Sequence, residues 1–417
     1  MGLRRNGGYG ALPAILVELL LIDLGIGMTS PVLPLYAQTL GAGVAMVGGI
    51  VGALGVSRVF FDLPAGYLAG RCDRRWLLLV APLFTLGAAV MTATATNFWV
   101  LLPARFLEGT GSALANTASL VILADAVAGR ENRGRIMSLY QGVRRGATGL
   151  APFVGGLLAD AAGYRFVYWG YAAATFLALI WVLVVLVRLP LPSRRVPPRS
   201  VDAGERRRLS LRGGFLFDPS FLLVSLMAFA FFFGRISVRR LIIPLLGKEV
   251  LGLSATYIGL ALSLGTVATL VTLYFSGHLT DRMGAGKLVV LGGFLSALAL
   301  VFYSFSDSLP TFLLASIFWG FTAGFGGPAR NVYLMDIVSA DLYPLAMGVY
   351  RTLGDLGFIL GPVVLSLVAA DQGLQASLYV AAGVFAVGSF LFGAFARRAG
   401  EGRGRDAGPV NGEDEPS

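Results

Sequence analysis

The residues able to do chemistry in this 417-residue chain are charges set inside apolar runs. The acids there are Glu18, Asp23, Asp62, Glu108 and Asp355, and the arginines are Arg58, Arg105, Arg144, Arg145, Arg235, Arg239, Arg240, Arg330 and Arg351. A charge in hydrocarbon is costly, so it marks a pathway, a binding site or a partner. Residues three or four apart share a helix face, which pairs Arg58 with Asp62, Arg105 with Glu108 and Arg351 with Asp355. Each pair reads as well as a structural ion pair as a working one. Arg239 and Arg240 fall towards the outer end of their run, where long side chains snorkel to the interface, and are expected to be structural. Guanidinium stays charged at physiological pH. Arg144, Arg145 and Arg235 therefore need an acid, a water-filled cavity or an anionic ligand. Asp23 is open as a partner for Arg144 or Arg145, and Asp355 for Arg235; failing these, the cavity is electropositive.

A proton relay needs a group that is neutral in one state and ionised in another, which arginine cannot supply. Asp23, near the middle of the first apolar run, is the leading candidate, followed by Glu18, Glu108 and Asp355; a permanently paired Asp23 is the competing reading. The substrate-cavity candidates are Arg58, Arg105, Arg144, Arg145 and Arg235. The single histidine, His278, sits at the end of the eighth run, away from the middle. With one histidine and one cysteine, Cys72, there is no basis for a disulfide, a metal site or a cofactor. No phosphate-binding loop is present, so a nucleotide-driven pump is not expected, and with one histidine to build a metal or water-activating cluster a membrane enzyme is not expected either.

The elements that position these residues are membrane helices. Hydrophobic residues make up 56% and charged ones 13%, against about 25% charged in soluble domains. Crossing a bilayer takes about 20 apolar residues, and suitable runs fall at 12–36, 45–69, 76–96, 99–124, 136–158 and 165–188. A second set follows at 219–246, 254–279, 287–305, 310–337, 345–369 and 374–396. The fold class is thus an all-α membrane protein, with twelve transmembrane helices in two pseudo-symmetric six-helix bundles. The bundles occupy 1–189 and 218–396, joined by a Pro- and Arg-rich linker at 190–217, and a disordered Gly- and acid-rich tail is expected at 397–417. Lys and Arg gather in the loops on one side, including Arg71, Arg74, Arg75, the linker, Arg282 and Lys287. Only Arg165 and Lys248 fall on the other, so both termini are placed in the cytoplasm of a plasma (inner) membrane. The net charge of +10 is therefore a topology signal rather than a nucleic-acid footprint. The expected partners are the lipid bilayer, a small-molecule substrate and protons, and the protein is expected to act as a monomer.

One loop occurs twice. Asp62-Leu-Pro-Ala-Gly66-Tyr-Leu-Ala-Gly-Arg71-Cys-Asp73-Arg74-Arg75 recurs half the chain later as Gly277-His-Leu-Thr-Asp281-Arg282-Met-Gly284. The pattern resembles the loop between the second and third helices of the major facilitator superfamily. The second copy keeps its Asp, Arg and Gly, whereas the first has Gly70 in place of the usual Asp and Asp73 in place of the usual Gly. The stretch Ile22-Asp23-Leu24-Gly25 to Pro34 is similar to the first helix of the tetracycline-type drug:proton antiporters. Arg105-Phe-Leu-Glu108-Gly-Thr-Gly resembles their Arg-bearing motif. Gly149-Leu-Ala-Pro152-Phe-Val-Gly155-Gly156 resembles their glycine-proline motif, echoed by Gly361-Pro362. These small residues and prolines are helix-packing devices. The resemblance implies alternating access and proton-coupled efflux, or antiport, of a small organic molecule or drug; proton-coupled uptake or exchange of an organic anion is the alternative.

Overall fold

The computed structural model describes residues 7–71, 74–127, 133–186, 216–338 and 342–396. Asp73, Cys72, most of the linker and the tail 397–417 lie outside them, as do the side chains of Arg71, Arg74 and Arg75. Every regular element among the described residues is helical, as lipid requires, because only a helix or a closed barrel satisfies its backbone internally.

The N-terminal half comprises α1 (Gly7–Thr29), α2 (Leu33–Thr39), α3 (Val44–Arg71), α4 (Arg74–Ala93), α5 (Leu101–Val127), α6 (Arg133–Ala162) and α7 (Tyr164–Trp181). The C-terminal half comprises α8 (Pro219–Ser237), α9 (Ala255–Met283), α10 (Ala285–Ser304), α11 (Leu309–Ile337), α12 (Tyr343–Gln372) and α13 (Leu374–Phe395). The first expected span is broken: α1 and α2 meet at 50°, because Pro31 and Pro34 interrupt the hydrogen-bond ladder between them. The seventh runs on past α8 through wide π turns to Val250. Counting α1 and α2 as one, ten spans are long and apolar enough to cross a membrane. The two that fall short on composition, α5 and α6, carry Arg105, Glu108, Arg144 and Arg145.

The halves repeat each other in detail. The turns after α6 and after α12 are each made by one glycine with positive φ, Gly163 at +87° and Gly373 at +93°; a Cβ would strain that conformation. The halves meet along α6 on α9 and along α3 on α12. At the end away from the basic loops, hereafter the far end, the contact is tight. A Cβ on Gly156 would run into the Ala255 carbonyl, on Gly259 into the Pro152 carbonyl, and on Gly48 into the Pro362 carbonyl. Towards the basic end, Gly142, Gly146 and Gly277 on the same two helices have open space around them.

The apolar core divides in the same way. One large cluster joins both halves at the far end, with Val32, Tyr36 and Ala151 packed in the same body as Leu241, Ile243, Leu246, Ala255 and Leu365. At the basic end there is a separate cluster in each half, one around Leu78, Ile122 and Tyr140, the other around Leu288, Tyr333 and Leu342. The structure is therefore closed at the far end, with a cleft between the halves that opens towards the basic loops.

Candidate functional site

Asp23 is carried into the N-terminal wall of this cleft by α1, where it is 5% exposed. Arg144 on α6 meets it with both ends of its fork, Nε donating to Oδ2 at 2.7 Å and Nη2 to Oδ1 at 3.2 Å. The guanidinium also lies 5.8 Å from the Tyr140 ring. Bidentate guanidinium–carboxylate pairs are both stronger and more directional than single contacts. The side chains differ in access, with 27% of Arg144 exposed and 7% of Asp23, so water in the cleft reaches the pair from the arginine side. Arg145, one residue on, is exposed.

Arg105 and Glu108 form the pair expected from their spacing, at 2.5 Å, both buried within α5. The other pairs read from helix spacing do not close: between described residues, the direct ion pairs are Arg105–Glu108 and Arg144–Asp23. Arg58 instead turns across the α3–α12 contact to lie 5.8 Å from the Phe358 ring. Asp62 and Asp355 each feel both Arg58 and Arg351 at longer range. Arg58 reaches the neighbouring helix, which spacing along a single helix cannot reveal.

Glu18 differs from the other acids. It is fully buried on α1, between Ile15 and Leu19 of the N-terminal cluster, and neither carboxylate oxygen has a partner.

The C-terminal wall holds arginines without acids. Arg235 donates to the Trp319 carbonyl at 3.0 Å and to Thr269 Oγ1 at 3.2 Å, not to Asp355. Arg239 does not snorkel. It crosses between the halves, donating to Thr266 Oγ1 at 2.7 Å and the Thr148 carbonyl at 3.5 Å. Arg240, half-buried, has Arg105, Glu108 and Arg58 of the opposite half as electrostatic neighbours, so it too turns inward. Of the phenylalanines on α8, Phe233 is buried in the core, while Phe231 lies under two guanidiniums, those of Arg235 and Arg330.

A further site at the far end was not read from the sequence. Asp160, at the end of α6, accepts hydrogen bonds from the backbone N–H groups of Ala255 at 3.0 Å and Thr256 at 2.8 Å. It caps the N-terminus of α9 from the other half of the molecule, a role that side chains usually fill from the residue before the helix. Ser366 Oγ ties α12 to the Ala45 carbonyl of α3 at 3.1 Å, and Gln38 bonds Glu249 at the same end. The acid at position 160 gave no signal on its own, because its partners lie about a hundred residues further on. Of the repeated loop, Gly66 and Gly277 stand in open space and Asp281 and Arg282 are exposed.

Two six-span helical halves around a charged cleft, closed at one end, have the architecture of a membrane transporter. The chain belongs to the Major Facilitator Superfamily, whose profile matches residues 17–239 and again 232–412. It is similar to Multidrug resistance protein MdtG of Klebsiella pneumoniae, 25% identical over 388 residues, covering 87% of this chain and 88% of the relative. It is also similar to Quinolone resistance protein NorA of Staphylococcus aureus, 23% identical over 378 residues, covering 89% and 92%. Among solved structures, the D-xylose-proton symporter superposes with a TM-score of 0.75 at 17% identity, over 94% of this chain and 98% of that one. The nucleoside transporter NupG does so with 0.72 at 18% identity, over 92% and 98%. These likenesses establish the fold. The protein is a multi-pass membrane transporter, and the family and its structural neighbours are transporters rather than enzymes.

Proposed function

We propose that the protein exports small organic molecules in exchange for protons, by alternating access about the cleft. The observation that carries this reading is the division of the apolar core, shared at the far end and separate at the basic end. One rocking motion of the halves can close the basic end and open the far end around a central site, as the repeat of one half by the other allows. The basic loops mark the cytoplasmic side, so the state described here takes substrate from the cytoplasm. The similarity to proteins named for multidrug and quinolone resistance supports outward transport of drug-like molecules.

Coupling is assigned to Asp23 and Arg144. Their pair joins two helices, and its arginine is open to the cleft. Protonating Asp23 removes the charge that holds Arg144, which frees the guanidinium to turn towards substrate or water. The Arg105–Glu108 pair lies within one helix and is closed to water on both sides, so it is assigned a structural role. The experiment is a substrate screen in proteoliposomes with a pH gradient imposed in either direction. Accumulation of organic substrates only when protons flow the opposite way supports exchange. Accumulation only when protons flow the same way means symport, and the export reading is then wrong.

A further inference from the structure

We propose that Arg235, Arg239 and Arg330 form an anion site in the C-terminal wall of the cleft, suited to a small molecule with a carboxylate on a planar aromatic ring. The proposal rests on the cleft being the substrate pathway, as argued above, and holds for either direction of transport.

The charge on this wall is unbalanced. Arg235 donates only to neutral oxygens, those of Trp319 and Thr269, and its electrostatic neighbours are the like charges of Arg239, Arg330 and Arg145. Arg145 belongs to the opposite half and is exposed, and its charge acts on Arg235 at longer range. Neither direct ion pair between described residues involves Arg235, Arg239 or Arg330. Arg330 is 5% exposed, and its Nε is buried with no partner. Buried polar groups are nearly always hydrogen-bonded, so an unmet donor on a buried cation calls for an explanation. A second lies beside it: the indole Nε1 of Trp319, 4% exposed, is also unmet.

Aromatic rings take the place of acids. The Arg330 guanidinium lies 3.9 Å from the centre of the Phe231 ring, and Arg235 lies 5.8 Å from the same ring and 5.0 Å from Trp319. Cation–π contacts of this kind hold guanidiniums without neutralising them. Clustered positive charge, spare N–H donors and flat apolar faces thus lie together around a cavity of about 10 Å³ lined by Arg235, Arg239 and Trp319, which a ligand must widen to enter. A carboxylate takes two N–H donors from one guanidinium, and the ring that carries it finds aromatic surface alongside. Arg145 on the other wall is placed to approach the same anion as the halves close.

The test is binding of 2-naphthoate and of its neutral isostere 2-naphthamide to the full-length protein in detergent, by isothermal titration at constant salt. The site predicts that the acid binds at least tenfold more tightly than the amide. In Arg330→Gln and Arg235→Gln that preference should fall to about twofold or less, through weaker binding of the acid. Equal affinity of the wild-type protein for acid and amide, or no saturable binding of the acid, overturns the proposal without relying on any variant to fold. A preference kept in full by both folded variants also overturns it. These readouts use no pH gradient, so failure of the proton-exchange reading in liposomes leaves them intact, and the reverse holds too.

Discussion

Replacing Asp160 by Ala removes the acceptor that caps α9 across the two halves, and the structure sets the size of the effect. The carboxylate receives two backbone N–H donors, at 3.0 and 2.8 Å, and both lose their acceptor in the variant. Loss of an N-cap side chain costs about 0.5–2 kcal/mol. Asp160 is exposed, so solvent screening places it in the lower part of that range, about 0.5–1 kcal/mol. The bonds exist only while the far end is closed, so their loss acts on the conformational equilibrium rather than on folding. About 0.5–1 kcal/mol is a two- to fivefold rise in the ratio of far-end-open to far-end-closed molecules. Thr94 and Asp307 are exposed in far-end loops, one in each half, and suit paired spin labels in a Cys72→Ser background, Cys72 being the sole native cysteine. Electron–electron distance measurement should show the longer distance gaining population by that factor. An unchanged distribution in Asp160→Ala would refute the latch.

The glycines at the same contact give a steric counterpart. Gly156→Ala sets a methyl group against the Ala255 carbonyl, a backbone atom that cannot swing aside, whereas Gly142→Ala meets nothing within 4 Å. The first should therefore lengthen the far-end distance and the second should not; equal behaviour would contradict the tight-contact account. Glu18→Gln keeps shape and removes only the capacity for charge at a site with no partner, so thermal stability in detergent and gradient-driven transport should both persist. Loss of gradient-driven transport in folded Glu18→Gln would move the coupling role from Asp23 to Glu18. Single cysteines placed between Arg194 and Arg212 should resist an impermeant thiol reagent added to intact cells, and labelling from outside would invert the orientation.

Much of the fold could be read from the sequence because its cause is local. Runs of about 20 apolar residues and a repeated loop specify spans and two halves without reference to any partner. The break between α1 and α2 had a local signal in Pro31 and Pro34 that the run of apolar residues masked, whereas the π turns before Val250 left no such mark along the chain. In the site, Arg105–Glu108 was legible because both ends sit on one helix face. Asp23–Arg144 was one of several pairings open, since nothing along the chain says which arginine of α6 turns towards α1. Arg58 and Asp62 do not close as a direct ion pair, and the guanidinium lies near an aromatic face on another helix, Phe358, that helix spacing cannot show. Asp160 stayed invisible because its partners are backbone groups, whose availability depends on where a distant helix begins.

Gradient-driven transport in Asp23→Asn tests the central claim most directly. Asparagine keeps the size of the side chain and one oxygen for Arg144, but it cannot exchange a proton. Proteoliposomes holding this variant should still exchange labelled for unlabelled substrate at equilibrium, while accumulation driven by a pH gradient falls to background. Gradient-driven accumulation at the wild-type level in the variant would contradict the assignment of coupling to the Asp23–Arg144 pair.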